Sequence, residues 1–550
     1  MRMSNMFLAP FLAVMAPVLF PGDLSAAGGA DAVAIQYHFA GAANLAGNTN
    51  FALAARMLSL PPAKRFHDLV LARWANVFWN TLQLDSGGDS DALLRPLLSD
   101  LLQADSTGCF GGHDKTQMDF VLAARLDAKS AAVWQKNLET ALHGQGEPLT
   151  AEGFSGRLWN RPGQHSLWSL RARDWTLVGR GEDLLASRTA YLQKIKQDNQ
   201  PAPVAKDSWL GAEVDWPLLA TWEPLSSCPL KLARTSVDVT ASSGRFHSTV
   251  HVTYPEPMLW KSQPWRIPKE LVSSPLSSFT ASQNLGAYLN MDHSATRLSS
   301  DPLTNQFFCW ALREMALQTY AAWPVTDATN TLRKLGTEAP AILNPFLEAR
   351  NHSQLSWFQK HDQLVWTKLQ LTGPSLMPAS AKNGDFLVAK VFPMEAKFVP
   401  ASEQLWSQFQ QRDDLVYYDW EVTGLRLMQW RLLTELLPVF PPPTPEDVAR
   451  HEKAAKNAQT AVLAHQPLTP MAVTEAWLAE LSNPALNNTV TEATRTSPTQ
   501  LTIVRNSQAL FTGLEWVLLS HWLADAPVGP IDYTLLPQAK MSGPGLPKPH

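Results

Sequence analysis

Cys109, His113 and Asp114, in the run CFGGHD, come nearest to a reactive arrangement. A thiol nucleophile needs a base within hydrogen-bond reach, and the intervening glycines would let the chain turn back on itself. Neighbours in sequence seldom reach that geometry, because catalytic partners usually come from distant segments. His247 and His251 have the spacing of a helical metal pair but fall in a strand pattern. Four residues of strand span about 13 Å, too far for one ion with ligand bonds of about 2 Å. GRGEDL, from Gly179, carries the first two glycines of a dinucleotide loop and has Leu184 at the third position. HEKAA, from His451, opens like a zinc-protease helix and has Ala455 where the second ligand belongs. GFSG, from Gly153, lacks the spacing of a nucleophile elbow. DSGGDSD, from Asp85, lacks the closing Glu of a calcium loop, and Asp89 or Ser90 capping the next helix accounts for it. Asp215, Asp413, Asp414 and Glu421 are available for acid–base work, and no pattern sets them apart. The sequence assigns no catalytic residue, no metal ligand and no cofactor.

The tryptophans are the remaining candidates, 21 of them beside 8 tyrosines. Exposed indoles stack on sugars and quaternary amines. Trp260, Trp265 and Arg266, in PEPMLWKSQPWRIP, are therefore a candidate ligand-binding set. The same stretch holds Pro255, Pro257, Pro264 and Pro268, which cannot donate backbone hydrogen bonds and favour extended chain. A strap that docks its indoles into the flanking units satisfies both facts without a ligand. Elsewhere, Trp74, Trp168, Trp175, Trp420 and Trp516 fall inside apolar strand or helix patterns and read as core.

The elements around these residues recur in order. HFAGAANLAG and SFTASQNLGA align Phe39, Asn44 and Leu45 with Phe279, Asn284 and Leu285. After the first, Phe66, Leu69, Val70, Trp74, Val77 and Phe78 make a helical stripe. After the second, Asp301-Pro302 is a helix start, and NQFFCWALREMALQTYAAW reads as a helix. Strand-like runs follow at Asp119 and Asp362, and then strand-to-helix runs from Asp174 and Leu415. Each series closes on a hairpin, with turns at Ser242-Ser243-Gly244 and Ser497-Pro498-Thr499. The expected fold is α+β: two tandem, structurally similar units, 33–254 and 273–525, each a mainly antiparallel sheet packed with helices. Residues 255–272 form the Pro/Trp-rich connector. A proline-rich loop and helix, 438–470, is inserted in the second unit, and 535–550 reads as a disordered tail.

A chain of 550 residues exceeds what one core usually holds. Its net charge is −4 with no Lys/Arg cluster, which argues against a nucleic-acid partner. Arg2, the apolar run Met6–Phe20 and the small residues Ser25–Ala27 read as a signal peptide over 1–27. That run is short for a membrane span, which takes about 20 residues. An uncleaved anchor is the alternative, and no other stretch is long enough to cross. Cys109, Cys228 and Cys309 are too few for a disulfide scaffold, and sequence does not say whether any pair bridges.

YHFAGAANLAGNTN, LGAEVDWPLLA and TYPEPMLWKSQPWRIP running into PLSSFTASQNL resemble an uncharacterised family of exported bacterial proteins. The resemblance implies export and architecture, and no activity. The expectation is an exported, periplasmic, non-catalytic binding or envelope-assembly protein. An envelope protein is its expected partner, and a cleft between the units its expected ligand site. An exported hydrolase with a carboxylate or thiol site is the alternative.

Overall fold

Apolar residues at every second position make strands, and those at three- and four-residue spacing make helices. Here the two patterns build an antiparallel sheet with helices on both faces, an α+β architecture. The computed structural model describes residues 33–46, 49, 52–84, 88–112, 118–181, 184–202, 208–222, 231–258, 263–284, 305–313, 318–351, 353–368, 373–391, 398–436, 469–482 and 488–524.

The strands of the first half are β1 (Val33–Phe39), β2 (Ser106–Gly112), β3 (Met118–Arg125), β4 (Glu147–Ala151), β5 (Phe154–Trp159), β6 (Leu167–Ala172), β7 (Trp175–Arg180), β8 (Ser208–Asp215), β9 (Arg234–Ser242) and β10 (Arg245–Thr253). Those of the second half are β11 (Leu276–Gln283), β12 (Gln306–Leu312), β13 (Thr319–Val325), β14 (Gln354–Phe358), β15 (Gln363–Thr367), β16 (Ser375–Ala381), β17 (Gly384–Val391), β18 (Leu415–Val422), β19 (Asn488–Ser497) and β20 (Gln500–Ser507). The helices are α1 (Ala43–Ala46), α2 (Ala52–Ser59), α3 (Pro61–Thr81), α4 (Ser90–Gln103), α5 (Ala128–Ala141), α6 (Leu185–Asp198), α7 (Trp216–Trp222), α8 (Ala328–Asn351), α9 (Glu403–Ser407), α10 (Thr423–Leu436), α11 (Pro470–Leu481) and α12 (Gly513–Ala524).

In the first half the strand order is β4-β5-β6-β7-β3-β2-β1-β8-β9-β10. In the second it is β14-β15-β16-β17-β13-β12-β11-β18-β19-β20. The two series join where β10 runs antiparallel to β20, from Phe246 opposite Ser507 to Thr253 opposite Gln500. Bulges fall at matching places: between Val33 and Ile35 and between Leu276 and Ser278, then between Ser208 and Leu210 and between Leu415 and Tyr417. Counting from the first pair of bulges sets Phe39 against Ser282. The Phe39–Phe279 echo in the sequence is therefore out of structural register.

Other expectations are corrected as well. The stretch around 305–323 is not a helix but the strand pair β12 and β13. Its apolar residues alternate: Phe308 and Trp310 are buried on one face, while Phe307 and Cys309 lie on the other. A strand apolar on both faces reads as a continuous run, which periodicity alone cannot tell from a helix. The counterpart of β3, by strand order, is β13 rather than the run at Asp362, and that of β18 is β8 rather than β7. The signal segment, Asp301-Pro302, nearly all of the 438–470 insertion, Cys228 and the tail lie outside the described residues.

The hairpins, the strand-to-helix runs and the stripe on α3 form as expected. Ser243 and Gly244 take φ of 52° and 73°, the left-handed pair that a two-residue hairpin turn requires. Asp89 caps α4 by accepting from Ala92 N–H at 2.9 Å. Helix α3 spans the two halves. Phe66 stacks on Trp477 of α11 with centroids 4.4 Å apart, and Trp74 meets Trp522 of α12 at 5.6 Å. Helix packing and the β10–β20 ladder thus join the two halves. Among the described residues no helix is long and apolar enough to cross a membrane.

Candidate functional site

Antiparallel register carries side chains across a sheet in rows. One row in the second half runs Arg505 (β20), Thr491 (β19), Asp419 (β18), Thr280 (β11), Cys309 (β12), Ala321 (β13). Beside it on the same face lie Thr489, Glu421, Ser278 and Ala311. The hydroxyls of Thr423, Thr489 and Ser507 form a chain with spacings of 2.7 Å. Helix α10 adds Arg426 and Gln429, and helix α12 adds Glu515. Asp419, Arg426, Arg505 and Glu515 are each 8% exposed and Glu421 is 4% exposed.

Each charge is held by named groups. Arg505 grips both oxygens of Glu515, at 2.7 and 2.8 Å, and its Nε donates to Thr491 Oγ1 at 2.9 Å. Glu515 also accepts from Thr512 N–H at 2.8 Å, and Thr512 Oγ1 accepts from Glu515 N–H. This reciprocal capping box starts α12. Glu421 Oε1 accepts from Gly513 N–H at 2.8 Å. Asp419 Oδ1 accepts from Thr280 Oγ1 at 2.6 Å. Arg426 donates to Gln429 Oε1 at 2.6 Å, and Gln429 donates to Leu312 O.

Burial pushes the carboxyls of Asp419 and Glu421 upward, Glu421 further because it also sits beside Asp419. Burial also raises the Cys309 thiol to about 11, so it stays protonated near neutral pH. The register-matched row in the first half reads Val250, Val237, Ala212, Tyr37, Gly108, Leu122. Val250 and Ala212 therefore stand in the first half where the charged Arg505 and Asp419 stand in the second. Burying an ion costs several kcal/mol even when it is paired. The sheet itself does not demand that cost.

A second polar cluster lies in the first half. Asp119, fully buried on β3, pairs with His165 Nδ1 at 2.6 Å, and the Arg180 guanidinium acts on the same carboxylate. Gly181 lies beside it at φ 79°, and a Cβ there would fall 1.8 Å from Asp119 Oδ1.

The sequence candidates scatter. Trp260, His113, Asp114 and His451 lie outside the described residues. Trp265 and Arg266 make the contacts expected of a strap. Trp265 packs edge-on to Phe409 at 5.3 Å and donates to Arg412 O at 3.3 Å. Arg266 lies over Phe386 and donates to the carbonyls of Asn383 and Val325 at 3.1 and 3.2 Å. Both tie the connector to the core of the second half. At the other end Met258 is buried in the first-half core, its N–H bonded to Pro498 O at 2.9 Å. Cys109 is 2% exposed, with its thiol pushed up by burial. His247 and His251 bond separately to Ser242 and Thr502. Asp215 caps α7 and pairs with Arg234. Asp413 and Asp414 are exposed. Of the four carboxylates singled out in the sequence, Asp215, Asp413, Asp414 and Glu421, the last alone enters the buried face. Asp419, Arg426, Arg505 and Glu515 were missed. Two acidic residues at i and i+2 in LVYYDWEV are a signal, since both must share one strand face.

Among the described residues no three metal-binding side chains gather to hold an ion. No known protein family, curated protein or solved structure matches the chain.

Proposed function

We propose that the chain is an exported, non-catalytic binding protein built from two copies of one α+β unit. The first copy serves as support and the second carries the recognition face. The shared strand order and the paired bulges support the duplication. The observation that carries the functional reading is the contrast between the rows, Val250-Val237-Ala212 against Arg505-Thr491-Asp419. Charge kept where an apolar filling fits is the mark of a site rather than of a core.

The test exchanges the charges for apolar residues, following the first copy where it offers one: Asp419→Ala, Glu421→Val, Arg426→Met, Arg505→Val and Glu515→Leu together. On this reading the exchanged chain folds, with stability within about 3 kcal/mol of the parent, since apolar replacement of whole buried ion networks is often neutral or better. Failure to fold would show that the charges serve the structure. Fractionation of the native host with mass spectrometry of the mature N-terminus tests export; an intact N-terminus in the cytosol refutes it.

A hydrolase is the second reading, favoured by two buried carboxyls whose environments separate their acidities. It requires turnover of some ester, amide or glycoside that is lost in both Asp419→Asn and Glu421→Gln.

A further inference from the structure

Deepening the binding reading, on which it rests, we propose that Asp419, Glu421 and Thr280 receive the primary ammonium group of a small amine ligand. The argument begins with a count of charges. The face holds three carboxylates, Asp419, Glu421 and Glu515, and two guanidiniums, Arg426 and Arg505. Arg505 is committed to Glu515 through both of its terminal nitrogens. Arg426 is left to balance Asp419 and Glu421 together. With all groups ionised, one buried negative charge has no counterpart. Such a charge is costly and is relieved either by a proton or by a bound cation.

Hydrogen-bond accounting agrees. Asp419 Oδ1 and Glu421 Oε1 are taken by Thr280 and Gly513. Among the described residues no donor reaches Asp419 Oδ2 or Glu421 Oε2. Thr280 Oγ1 gives its proton to Asp419 and keeps its lone pairs. Three acceptors of this kind suit the three N–H donors of a primary ammonium. A quaternary amine has no such donors. A metal ion would need more ligands than gather here. From Thr280 the row continues through Cys309, Ala321 and Ala389, small side chains that are half-buried rather than sealed. The other titratable groups facing the site are Tyr417 on β18 and Cys309 on β12, both held neutral by burial, with Arg426 on α10, Arg505 on β20 and Glu515 on α12.

An ammonium that replaces the proton on the carboxyl pair must release that proton. Binding should therefore tighten as pH rises from mildly acidic to mildly alkaline. Titration calorimetry of the full chain with n-butylammonium, in two buffers of different ionisation enthalpy, reads both the affinity and the proton count. The expected result is saturable binding with a Kd of about 1 mM or tighter at mildly alkaline pH. Proton release accompanies it, and binding is at least threefold weaker at mildly acidic pH. Tetramethylammonium and sodium ions should not bind. Glu421→Gln should weaken butylammonium at least tenfold and abolish proton release. Thr280→Val, which leaves every charge in place, should weaken it severalfold and keep proton release, and it serves if Glu421→Gln fails to fold. No saturable binding, equal binding of tetramethylammonium, or unchanged affinity in the variants overturns the proposal. Amine binding that fails while the five-residue exchange still folds removes only the ligand assignment. An exchange that fails to fold removes the binding reading itself.

Discussion

Arg505→Val places at this position the residue found at the matched position, Val250, of the first half. The substitution removes two guanidinium bonds, of 2.7 and 2.8 Å, from a Glu515 that is 8% exposed. It also strips Thr491 Oγ1 of its 2.9 Å donor. The stranded carboxylate keeps only the Thr512 N–H. Breaking a buried pair from one side costs about 3–5 kcal/mol, because an uncompensated charge stays behind. Glu515→Leu alone should cost a similar amount by stranding Arg505. The double variant strands neither group. Its remaining loss is the capping box, about 1 kcal/mol, together with modest repacking. Two losses that sum to about 6–10 kcal/mol should therefore shrink to about 1–3 kcal/mol when combined. Equilibrium urea unfolding, followed by tryptophan fluorescence and far-UV circular dichroism, measures all four corners of the cycle. A single-variant loss below about 1 kcal/mol, or a double variant as damaged as the sum, would refute a closed ion pair at this site.

Three further outcomes follow from the same geometry. Glu421→Gln keeps an acceptor for Gly513 N–H and removes the titration. The folded carboxyl lies above its ordinary value of 4.5, so its contribution to stability is complete below that value and is lost as pH rises. The parent should lose about 1.4 kcal/mol per unit of that displacement, and the variant should show a flatter stability–pH curve; identical curves would dismiss the idea. Phe66→Ala removes the stack on Trp477 and should cost about 3–5 kcal/mol in urea unfolding, while a loss under about 1 kcal/mol would mean that α3 does not hold the halves together. Asn344 on α8 bonds both backbone groups of Leu355 on the outer strand β14, at 2.7 and 3.0 Å. Asn344→Ala should bare that edge and give concentration-dependent association by light scattering; a variant as monodisperse as the parent would count against a guarding role.

Local signals in the sequence were reliable wherever one face of an element meets water. The β9–β10 hairpin shows it, because Val237 and Val239 alternate with Ser236 and Asp238. Helix α3 shows it through Phe66 and Trp74, and the start of α4 through Asp89. Legibility failed where both faces are covered. At Phe307–Trp310 the alternation vanished into one apolar run, and two strands passed for a helix. It failed for the opposite reason at Asp419 and Glu421. A charged strand face normally means solvent, and only the later segments that form α10 and α12 bury it. Arg505 and Glu515 lie ten residues apart in different elements, and their meeting depends on the turn after β20. The shared strand order of the two halves was legible in the order of their elements and illegible in residue identity, since Phe39 and Phe279 occupy different places in the sheet.

The junction of β10 with β20 has the geometry of a two-fold contact, with corresponding strands running past each other in opposite directions. In a homodimer assembled this way every substitution would occur twice, so a costly ionic interior would burden both subunits. In a single chain that burden falls on one half alone. The apolar row beside β10 carries none of it.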